Sequence, residues 1–320
     1  ERCGAILIKD SGEVHAFMNN LFCFDPIEGM MMHYYADGEN PYALIASELK
    51  PGKVGFDKNW PSKHTISILQ ERDDIIPVLG SDCVDLCKSQ KDEEERELLR
   101  NASRINDMAV EFAISHIDPS LDEKQLSDMI EEFFEAHGAA RDIQLQYVCY
   151  GKNAAEPHHG AVAGEKLKEG DAVLFDLWAP VDNYWCDMTR TVFYKSVSDE
   201  HRKVYEIVKE AQQAAIDFVK PGVRMCDIDA VARKVITDAG YGDKFLTRTG
   251  HGVGMTVHEP PEASASCDLI AQPGMCFSIE PGIYLKDDVG VRIEDLVIVT
   301  EDGCEVLTKY PKELQIVGND

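Results

Sequence analysis

The sequence of 320 residues contains no uninterrupted apolar run of about 18 residues and no CxxC pair among its ten cysteines. Without such an apolar run the sequence predicts no transmembrane helix. The lack of a CxxC pair argues against a zinc ribbon or a thioredoxin-like redox site. Basic residues are scarce, since 32 Lys and Arg stand against 58 Asp and Glu, for a formal net charge of −26. Such a surface repels phosphate backbones and anionic lipids, so we expect neither nucleic acid nor membrane partners.

The ten cysteines are scattered along the chain, which indicates free thiols in a reducing cytosol rather than a disulfide framework. Hydrophobic residues make up 44% of the sequence, enough for the cores of about two globular domains. The opening ERCGAILIKD does not resemble a signal peptide, and its start inside an apparent strand indicates that residues are missing upstream. We therefore expect a cytoplasmic globular protein.

The first 90 residues alternate short β-type runs with turns. CGAILI and EVHAFM flank the turn KDSG and predict a hairpin, and KVGFD predicts a further strand. A charge-dense segment, KSQKDEEERELL, then opens a helical pattern. These signals predict a small mixed α/β domain over residues 1–90 and a second domain over residues 91–320.

Within the second domain, two helices followed by strands occur twice. The second helix begins near Ser120, where SLDE fits a capping box, and the strands IQLQYVCYG, DAVLFDLWAP and YWCDMTRTVFY follow. The second helix pair begins near residue 199, with Asp227 as an N-cap and Gly240 as a C-cap, and MCFSIEPGIYL and GVRIEDLVIVT follow as strands. This order predicts a duplicated unit, a pseudo-twofold domain with helices backing a curved sheet.

The strands of each half carry two acids with apolar neighbours. A single buried acid is usually paired with an arginine or caps a turn, because an unpaired buried carboxylate is costly. Here two strand cations face four acids, so two negative charges stay uncompensated and a divalent metal cluster is indicated. The acids are Asp176, Asp187, Glu280 and Glu294, and the cations are Arg190 and Arg292.

The segment TGHGVGMTVHEPP, residues 249–261, supplies two histidines. Its glycines follow GxGxG rather than GxGxxG, which argues against a dinucleotide site. His251 and His258 lie seven apart, so in an extended chain they face opposite ways unless a bulge or bend intervenes. One of them is expected to bind metal and the other to have a different role; a lone histidine would more often be a core residue. One imidazole with four carboxylates suits two ions such as Mn²⁺ or Co²⁺.

Four segments together resemble the metallopeptidases of the pita-bread fold, which include methionine aminopeptidases, aminopeptidase P and prolidase. They are FDLWAPVDNYWCDMTRTVF, TGHGVGMTVHEPP, FSIEPGIYL and GVRIEDLVIVTEDG, and the resemblance covers residues 85–310. It implies an α+β chain, with a pita-bread catalytic domain of curved antiparallel sheet preceded by a smaller creatinase-like α/β domain. Such N-terminal domains usually have roughly 40 further residues at their start.

The resemblance implies two divalent ions, Mn²⁺ or Co²⁺ with Zn²⁺ and Fe²⁺ as alternatives. Asp187 and Glu294 would bridge the ions, Asp176 would hold one, and His251 and Glu280 would hold the other. Glu280 would also take the proton of the attacking water. Two further histidines would bind the substrate and the oxyanion, and an arginine would orient the carboxylates. These residues are His258, His158 in YGKNAAEPHHGA, and Arg292, while His159 is expected to be only a neighbour.

Two short segments depart from the family pattern. Relatives often have Asp-x-Gly where this chain has Asp176-Leu177-Trp178, and Gly-Tyr-x-Ser-Asp where it has residues 183–187, NYWCD. The strands are therefore expected to pack differently around the cluster without losing a ligand.

The implied activity is hydrolysis of the Xaa-Pro bond at the N-terminus of short proline-containing peptides, with an Xaa-Pro dipeptidase as the alternative. Some prolidases carry an arginine four residues after the second histidine, where this chain has Glu262. A negative charge there disfavours the free carboxylate of a dipeptide; alternatively, Glu262 points to solvent and the carboxylate is held elsewhere. The resemblance also implies a homodimer.

Three other functions are less well supported. A creatinase-like hydrolase works without metal, and the complete set of acids argues against it. A non-catalytic binding module of this family typically loses ligands, whereas all five are present here. A methionine aminopeptidase normally lacks the N-terminal domain that this sequence predicts.

Overall fold

The computed structural model describes residues 2–140 and 146–318. The chain divides into two compact units, Glu1–Val84 and Asp85–Asp320. Among the helices of the described ranges, none combines the length and the hydropathy that crossing a bilayer requires.

The first unit contains a three-stranded sheet and a separate pair of strands. Strand β1 pairs antiparallel with β2 across the predicted turn, β2 pairs parallel with β3, and β4 pairs parallel with β5. The predicted hairpin and the strand in KVGFD are therefore confirmed. The elements are β1 (Ala5–Ile8), β2 (Val14–Asn19), β3 (Met30–Tyr35), α1 (Pro41–Glu48), β4 (Gly52–Phe56), α2 (Ser62–Glu71) and β5 (Ile75–Leu79). The division between the units falls within α3 (Ser81–Ser89).

Four helices of the second unit form two consecutive pairs, as the sequence predicts. They are α4 (Glu93–Ser115), α5 (Glu123–Ala136), α6 (Asp199–Phe218) and α7 (Met225–Asp238). The predicted capping box at Ser120 is wrong, because the N-cap of α5 is Asp122. The Asp122 carboxylate accepts from the backbone N–H of Gln125, and the Gln125 side-chain oxygen accepts from the backbone N–H of Asp122. The helix therefore begins two residues later than the motif SLDE indicates.

The predicted caps of α7 need a similar correction. Asp227 is not the N-cap, because the helix begins at Met225 and the Asp227 carboxylate pairs with Arg224 at 2.7 Å. Gly240 lies one residue beyond the C-cap Ala239 and has a φ of +91°, a conformation that favours glycine. Helix α7 therefore ends next to Gly240, one residue before the position that the sequence predicts for its C-cap.

The strands of the second unit form a four-stranded sheet in the order β16-β8-β7-β6, a five-stranded sheet in the order β10-β9-β11-β14-β15, and the hairpin β12-β13. Their bounds are β6 (Tyr147–Tyr150), β7 (Ala172–Val181), β8 (Tyr184–Tyr194), β9 (Gly250–Gly252), β10 (Glu259–Ala263), β11 (Cys276–Ile279), β12 (Gly282–Leu285), β13 (Val289–Arg292), β14 (Asp295–Val299), β15 (Cys304–Val306) and β16 (Ile316–Val317). The predicted strand over residues 143–151 is seen as β6, while residues 143–145 lie outside the described residues.

Each of the last two predicted strands is divided in two. MCFSIEPGIYL breaks at Glu280 and Pro281, and proline has no N–H for the ladder. GVRIEDLVIVT breaks at Ile293 and Glu294, where the Glu294 N–H donates to Thr189 O at 3.1 Å. Both breaks fall at predicted metal ligands.

Each helix pair packs its apolar face against one of the sheets. Ile105 of α4 and Ile130 of α5 share a core with Phe175 of β7. Val208 of α6 belongs to a second core with Phe277 of β11. The predicted duplication of helices backing strands is therefore seen in the packing.

Candidate active site

The two aspartates of the first half lie on neighbouring strands. In the antiparallel register of β7 and β8, Asp176 is opposite Thr189 and Trp178 is opposite Asp187. Residues that oppose one another share a face of the sheet, as do residues two apart on one strand. Asp176 and Asp187 therefore point to the same side, away from the face on which Phe175 packs against α4 and α5.

The second half contributes its ligands from the ends of short strands. The Glu280 N–H donates to Thr249 O at 2.7 Å, directly after β11 ends. Ser278 Oγ accepts from the N–H of His251 in β9 at 3.0 Å and donates to Glu280 Oε1 at 3.1 Å. Hydrogen bonds donated by the backbone N–H groups of His251 and Glu280 thus fix the start of both side chains.

The structure brings the five predicted ligands to the wall of one cavity. Ligand atoms of Asp187, His251 and Glu294, all buried, lie within 4.8 Å of one another. His251 Nε2 is 3.2 Å from Glu280 Oε1 and 3.6 Å from Asp187 Oδ2. Asp176 instead contacts Arg292 Nη2, at 2.6 Å.

The carboxylates of this cluster repel one another. Burial, together with the charges of Glu294 and Asp176, raises the pKa of Asp187 well above its ordinary value. Burial and the charges of Glu280 and Asp176 do the same to the pKa of Glu294. Burial also raises the pKa of Asp176 despite Arg292 beside it. For Glu280 burial is outweighed by the hydrogen bond from His251, which lowers the pKa.

One buried carboxylate oxygen of this cluster has no hydrogen-bond partner in the described part of the chain. Glu294 Oε2 accepts from Thr189 Oγ1 at 2.7 Å, but the buried Glu294 Oε1 makes no hydrogen bond there. A buried, unpaired oxygen among repelling acids is the environment that a divalent cation neutralises. The donor set therefore fits divalent metal ions.

The two predicted strand cations have separate partners. Arg292 donates from Nε to Thr189 Oγ1 at 2.9 Å and from Nη1 to Tyr284 Oη at 2.9 Å, in addition to its bond with Asp176. Arg190 instead pairs with Asp295 at 2.7 Å, outside the cluster. Of these two arginines, Arg292 is therefore the one that offsets charge at the four acids.

The structure corrects the expectation that His258 faces the opposite way from His251. The imidazole of His258 meets that of His251 edge to face, because the chain bends over residues 254–258 between β9 and β10. Burial in the cavity, and then His251 and Arg248, lower the pKa of His258 to about 4. A neutral His258 imidazole thus lines the cavity beside the cluster.

Contacts from outside the motif hold this bend. Trp185 donates its backbone N–H to Gly254 O at 2.8 Å and its indole N–H to Met255 O at 3.1 Å. The buried Lys91 pairs with Glu259, the residue after His258, at 2.7 Å. Sequence reasoning missed both residues. Trp185 occupies the variable position of the pattern Gly-Tyr-x-Ser-Asp, so the family pattern gives no signal for it.

The cavity has a volume of about 560 Å³, which suits a small peptide. His158 lies in its wall, whereas His159 turns to Glu156 at 3.3 Å. An edge-to-face contact joins Tyr147 and Trp178 at 4.6 Å between centroids. The lining residues are Tyr147, His158, Asp176, Trp178, Asp187, Leu246, Thr247, Arg248, His251, Val257, His258, Glu280, Arg292 and Glu294.

Arg248 is the lining residue that bears on the predicted carboxylate site. Its Nη1 is 3.6 Å from Glu262 Oε1, and the Glu262 side chain is 53% exposed. The buried Arg248 Nε has no hydrogen-bond partner within the described ranges. This chain has no arginine four residues after His258, but Arg248, three residues before His251, places a cation in the cavity wall. The spacing of the sequence motifs does not point to Arg248.

The chain is similar to known proteins of one family. The sequence model of metallopeptidase family M24 matches residues 97–301. An Xaa-Pro dipeptidase of Lactobacillus delbrueckii subsp. lactis is 37% identical over 292 residues, which cover 88% of this chain and 79% of the relative.

Two solved structures share the whole fold. A prolidase from Thermococcus sibiricus has a TM-score of 0.90 and 33% identity, and the match covers 99% of this chain and 88% of that one. An X-Pro aminopeptidase from Thermotoga maritima MSB8 has a TM-score of 0.81 and 28% identity, with 98% and 90% covered. The predicted α+β pita-bread fold is thereby confirmed. The chain belongs to metallopeptidase family M24.

Proposed function

We propose that this chain is a metal-dependent Xaa-Pro dipeptidase. The observation that carries the proposal is Arg248, a cation in the cavity wall whose Nε has no partner among the described residues. The names of the relatives, an Xaa-Pro dipeptidase and a prolidase, support dipeptides over the longer peptides that Glu262 predicts. The dipeptidase alternative therefore replaces the aminopeptidase as the main proposal.

The proposed metal centre uses the five residues at the cavity wall. Asp187 and Glu294 would bridge two divalent ions, Asp176 would complete one site, and His251 and Glu280 would complete the other. Mn²⁺ or Co²⁺ suits one imidazole with four carboxylates. When bound, such ions polarise a carbonyl and lower the pKa of a coordinated water. The unpaired oxygen of Glu294 supports this assignment.

The remaining side chains handle protons and hydrogen bonds. Glu280, held by Ser278 and His251, would accept the proton of the attacking water and deliver it to the proline nitrogen as the peptide bond breaks. His258 is neutral above pH of about 4, so a ring N–H can donate to the oxygen that gains charge. His158, which also lines the cavity, would contribute a second donor. Arg292 keeps Asp176 oriented through their 2.6 Å contact.

The substrate carboxylate needs a cation with a free N–H. Arg292 donates from Nε and both terminal nitrogens to protein acceptors, among them Thr189, Tyr284 and Asp176. Arg248 Nη1 lies 3.6 Å from Glu262 Oε1, beyond hydrogen-bond distance, and the Glu262 side chain is half exposed. A dipeptide carboxylate reaching Arg248 would gain a charge-assisted pair and displace Glu262 to solvent.

The test compares kcat/KM for an Xaa-Pro dipeptide with that for an Xaa-Pro-Xaa tripeptide sharing the same first residue. We expect a preference for the dipeptide of about tenfold or more, the effect of one charge-assisted hydrogen bond. A tripeptide preference would return the assignment to an Xaa-Pro aminopeptidase.

We also propose that the enzyme is cytosolic and forms a homodimer. All ten cysteines are free thiols, which suits a reducing cytosol. Prolidase-type enzymes commonly pair, and a homodimer would limit the cavity to short peptides.

A further inference from the structure

Three polar side chains of the first unit meet on one face of its sheet. Strands β2 and β3 run parallel, with Phe17 opposite His33. His15 lies two residues before Phe17 and so shares that face. Helix α1 covers this face with Ile45 and ends at Glu48, whose carboxylate reaches the two imidazoles. Three separate elements thus contribute one ligand-bearing side chain each.

The atoms of this cluster have the spacing of metal ligands. His15 Nδ1 is 2.9 Å from His33 Nε2 and 3.5 Å from Glu48 Oε2, and all three atoms lie within 4.8 Å of one another. Bonds of about 2.0–2.1 Å to a tetrahedral ion place ligand atoms about 3.3 Å apart. The two measured separations bracket that value, so small side-chain movements would admit an ion.

Packing holds both imidazoles in this orientation. His15 is 1% exposed. The rings of His15 and His33 are nearly parallel, with centroids 5.0 Å apart and planes at 11°, and Phe17 packs against His33 with centroids 4.7 Å apart. Ligands whose rotamers are already fixed lose little conformational entropy on binding a metal.

The charges of the cluster allow a cation to bind. Of the two imidazole nitrogens 2.9 Å apart, one donates its N–H to the other. When an ion binds, the donor ring would carry that proton on its other nitrogen, so that both facing nitrogens offer a lone pair. Lys9 Nζ contacts Glu48 Oε2 at 2.9 Å and competes for that oxygen. A carboxylate has two oxygens, so Glu48 can bind an ion through one and keep Lys9 on the other.

We propose that His15, His33 and Glu48 form a second metal site, with Zn²⁺ as its ion. Two neutral imidazoles and one carboxylate suit Zn²⁺, with water as the fourth ligand. The site shares no residue with the five proposed ligands of the cavity. It would join β2, β3 and the end of α1, and so stabilise the first unit rather than act in hydrolysis.

The experiment measures bound Zn²⁺ in the full chain with the cavity cluster disabled. The background is the double variant Asp187→Asn, Glu294→Gln, to which His33→Gln is added. His116→Gln in the same background is the matched control, because His116 is exposed and distant in sequence from all proposed ligands. Zn²⁺ content is determined by elemental analysis after equilibration at equal free Zn²⁺.

We expect His33→Gln to lose one equivalent of Zn²⁺ and His116→Gln to lose none. Near-ultraviolet circular dichroism checks that each variant is folded. If His33→Gln does not fold, Glu48→Gln replaces it, since the Glu48 side chain is 29% exposed, and the same loss is expected. Equal Zn²⁺ content in the folded variant and the control would overturn the site and leave a hydrogen-bonded histidine pair.

Discussion

The imidazole rings of His251 and His258 meet edge to face, with centroids 4.1 Å apart and planes at 87°. Seven residues separate them, so in a straight strand they would lie on opposite faces. The bend over residues 254–258 brings the two rings to the same side of the chain. Trp185 of β8 donates hydrogen bonds to two carbonyl oxygens of this bend, those of Gly254 and Met255. The place of His258 in the cavity therefore depends on a side chain from a different strand.

Replacing Trp185 with phenylalanine should lower kcat without releasing metal. The Trp185→Phe variant keeps an aromatic ring but loses the donor to Met255 O, and one lost hydrogen bond corresponds to a decrease of about tenfold. Steady-state kinetics and elemental analysis measure the two effects. Trp60→Phe is the matched control, because Trp60 Nε1 has no hydrogen-bond partner in the described ranges. Unchanged kcat in Trp185→Phe would show that the bend does not need the indole.

Removal of metal should abolish peptide hydrolysis. Chelation is expected to eliminate activity and Mn²⁺ or Co²⁺ to restore it, because the four acids cannot activate water without a cation. Glu280→Gln should fold and bind metal but lose about 10²–10⁴-fold in kcat, the usual contribution of a general base. Glu169→Gln, an exposed change on a loop, is the control. Full activity in protein shown to be metal-free would refute the metal centre.

Removal of the Arg248 charge should affect dipeptides selectively. Arg248→Gln is expected to raise KM for an Xaa-Pro dipeptide by about 10–100-fold and to leave the tripeptide nearly unchanged. Glu262→Gln should act in the opposite direction, because it removes the anion that competes for Arg248. Steady-state kinetics on both peptides measure the effect. An equal loss on both substrates would mean that Arg248 does not bind the carboxylate.

Asp295 should stabilise the second unit in a pH-dependent way. It is buried and accepts from Arg190 at 2.7 Å and from Lys312 at 2.9 Å. Burial opposes its ionisation, but the two cations hold its pKa below the ordinary value of 3.8. Asp295→Asn leaves the buried Arg190 without its counter-ion, which should cost about 3–5 kcal/mol at pH 7.

The sign of the pH effect follows from the lowered pKa of Asp295. Stability from its ion pairs is present above pH of about 3.8 and is lost as the pH falls through the folded-state pKa. The difference between wild type and Asp295→Asn in urea unfolding should therefore shrink below pH of about 4. Asp302→Asn, at an exposed turn, is the control. A difference that stays constant down to pH of about 2 would contradict this account.

The chain should sediment as a homodimer. At micromolar concentration we expect a species of twice the 35.7 kDa chain mass, measured by sedimentation equilibrium. Observation of monomer alone would exclude dimerisation as the means of limiting peptide length.

The sequence was most informative where chemistry demands particular residues. Asp176, Asp187 and Glu294 stand out because the acids in apolar strands outnumber the nearby cations, and that reasoning needs only the sequence. Local capping was less predictable, since Ser120 and Asp122 can both cap a helix and the choice depends on which N–H each one reaches.

Residues that act through tertiary contacts could not be predicted at all. Arg248 reaches the cavity, and Trp185 reaches the bend, only because strands distant in sequence meet. His258 was placed wrongly for the same reason, because the periodicity of a strand says nothing about a bend within it.

The proposed metal ligands come from both halves of the second unit, and this has a consequence for the order of folding. Asp187 and Glu294 approach within 4.8 Å only after the two sheets have formed and met, although more than a hundred residues separate them in sequence. Contacts between such distant segments form slowly, because a long loop must close first. Neither half holds all five proposed ligands, so under this assignment binding of the ions would follow the meeting of the two sheets. The chain must therefore bring its acids together against their own repulsion before any ion can neutralise them.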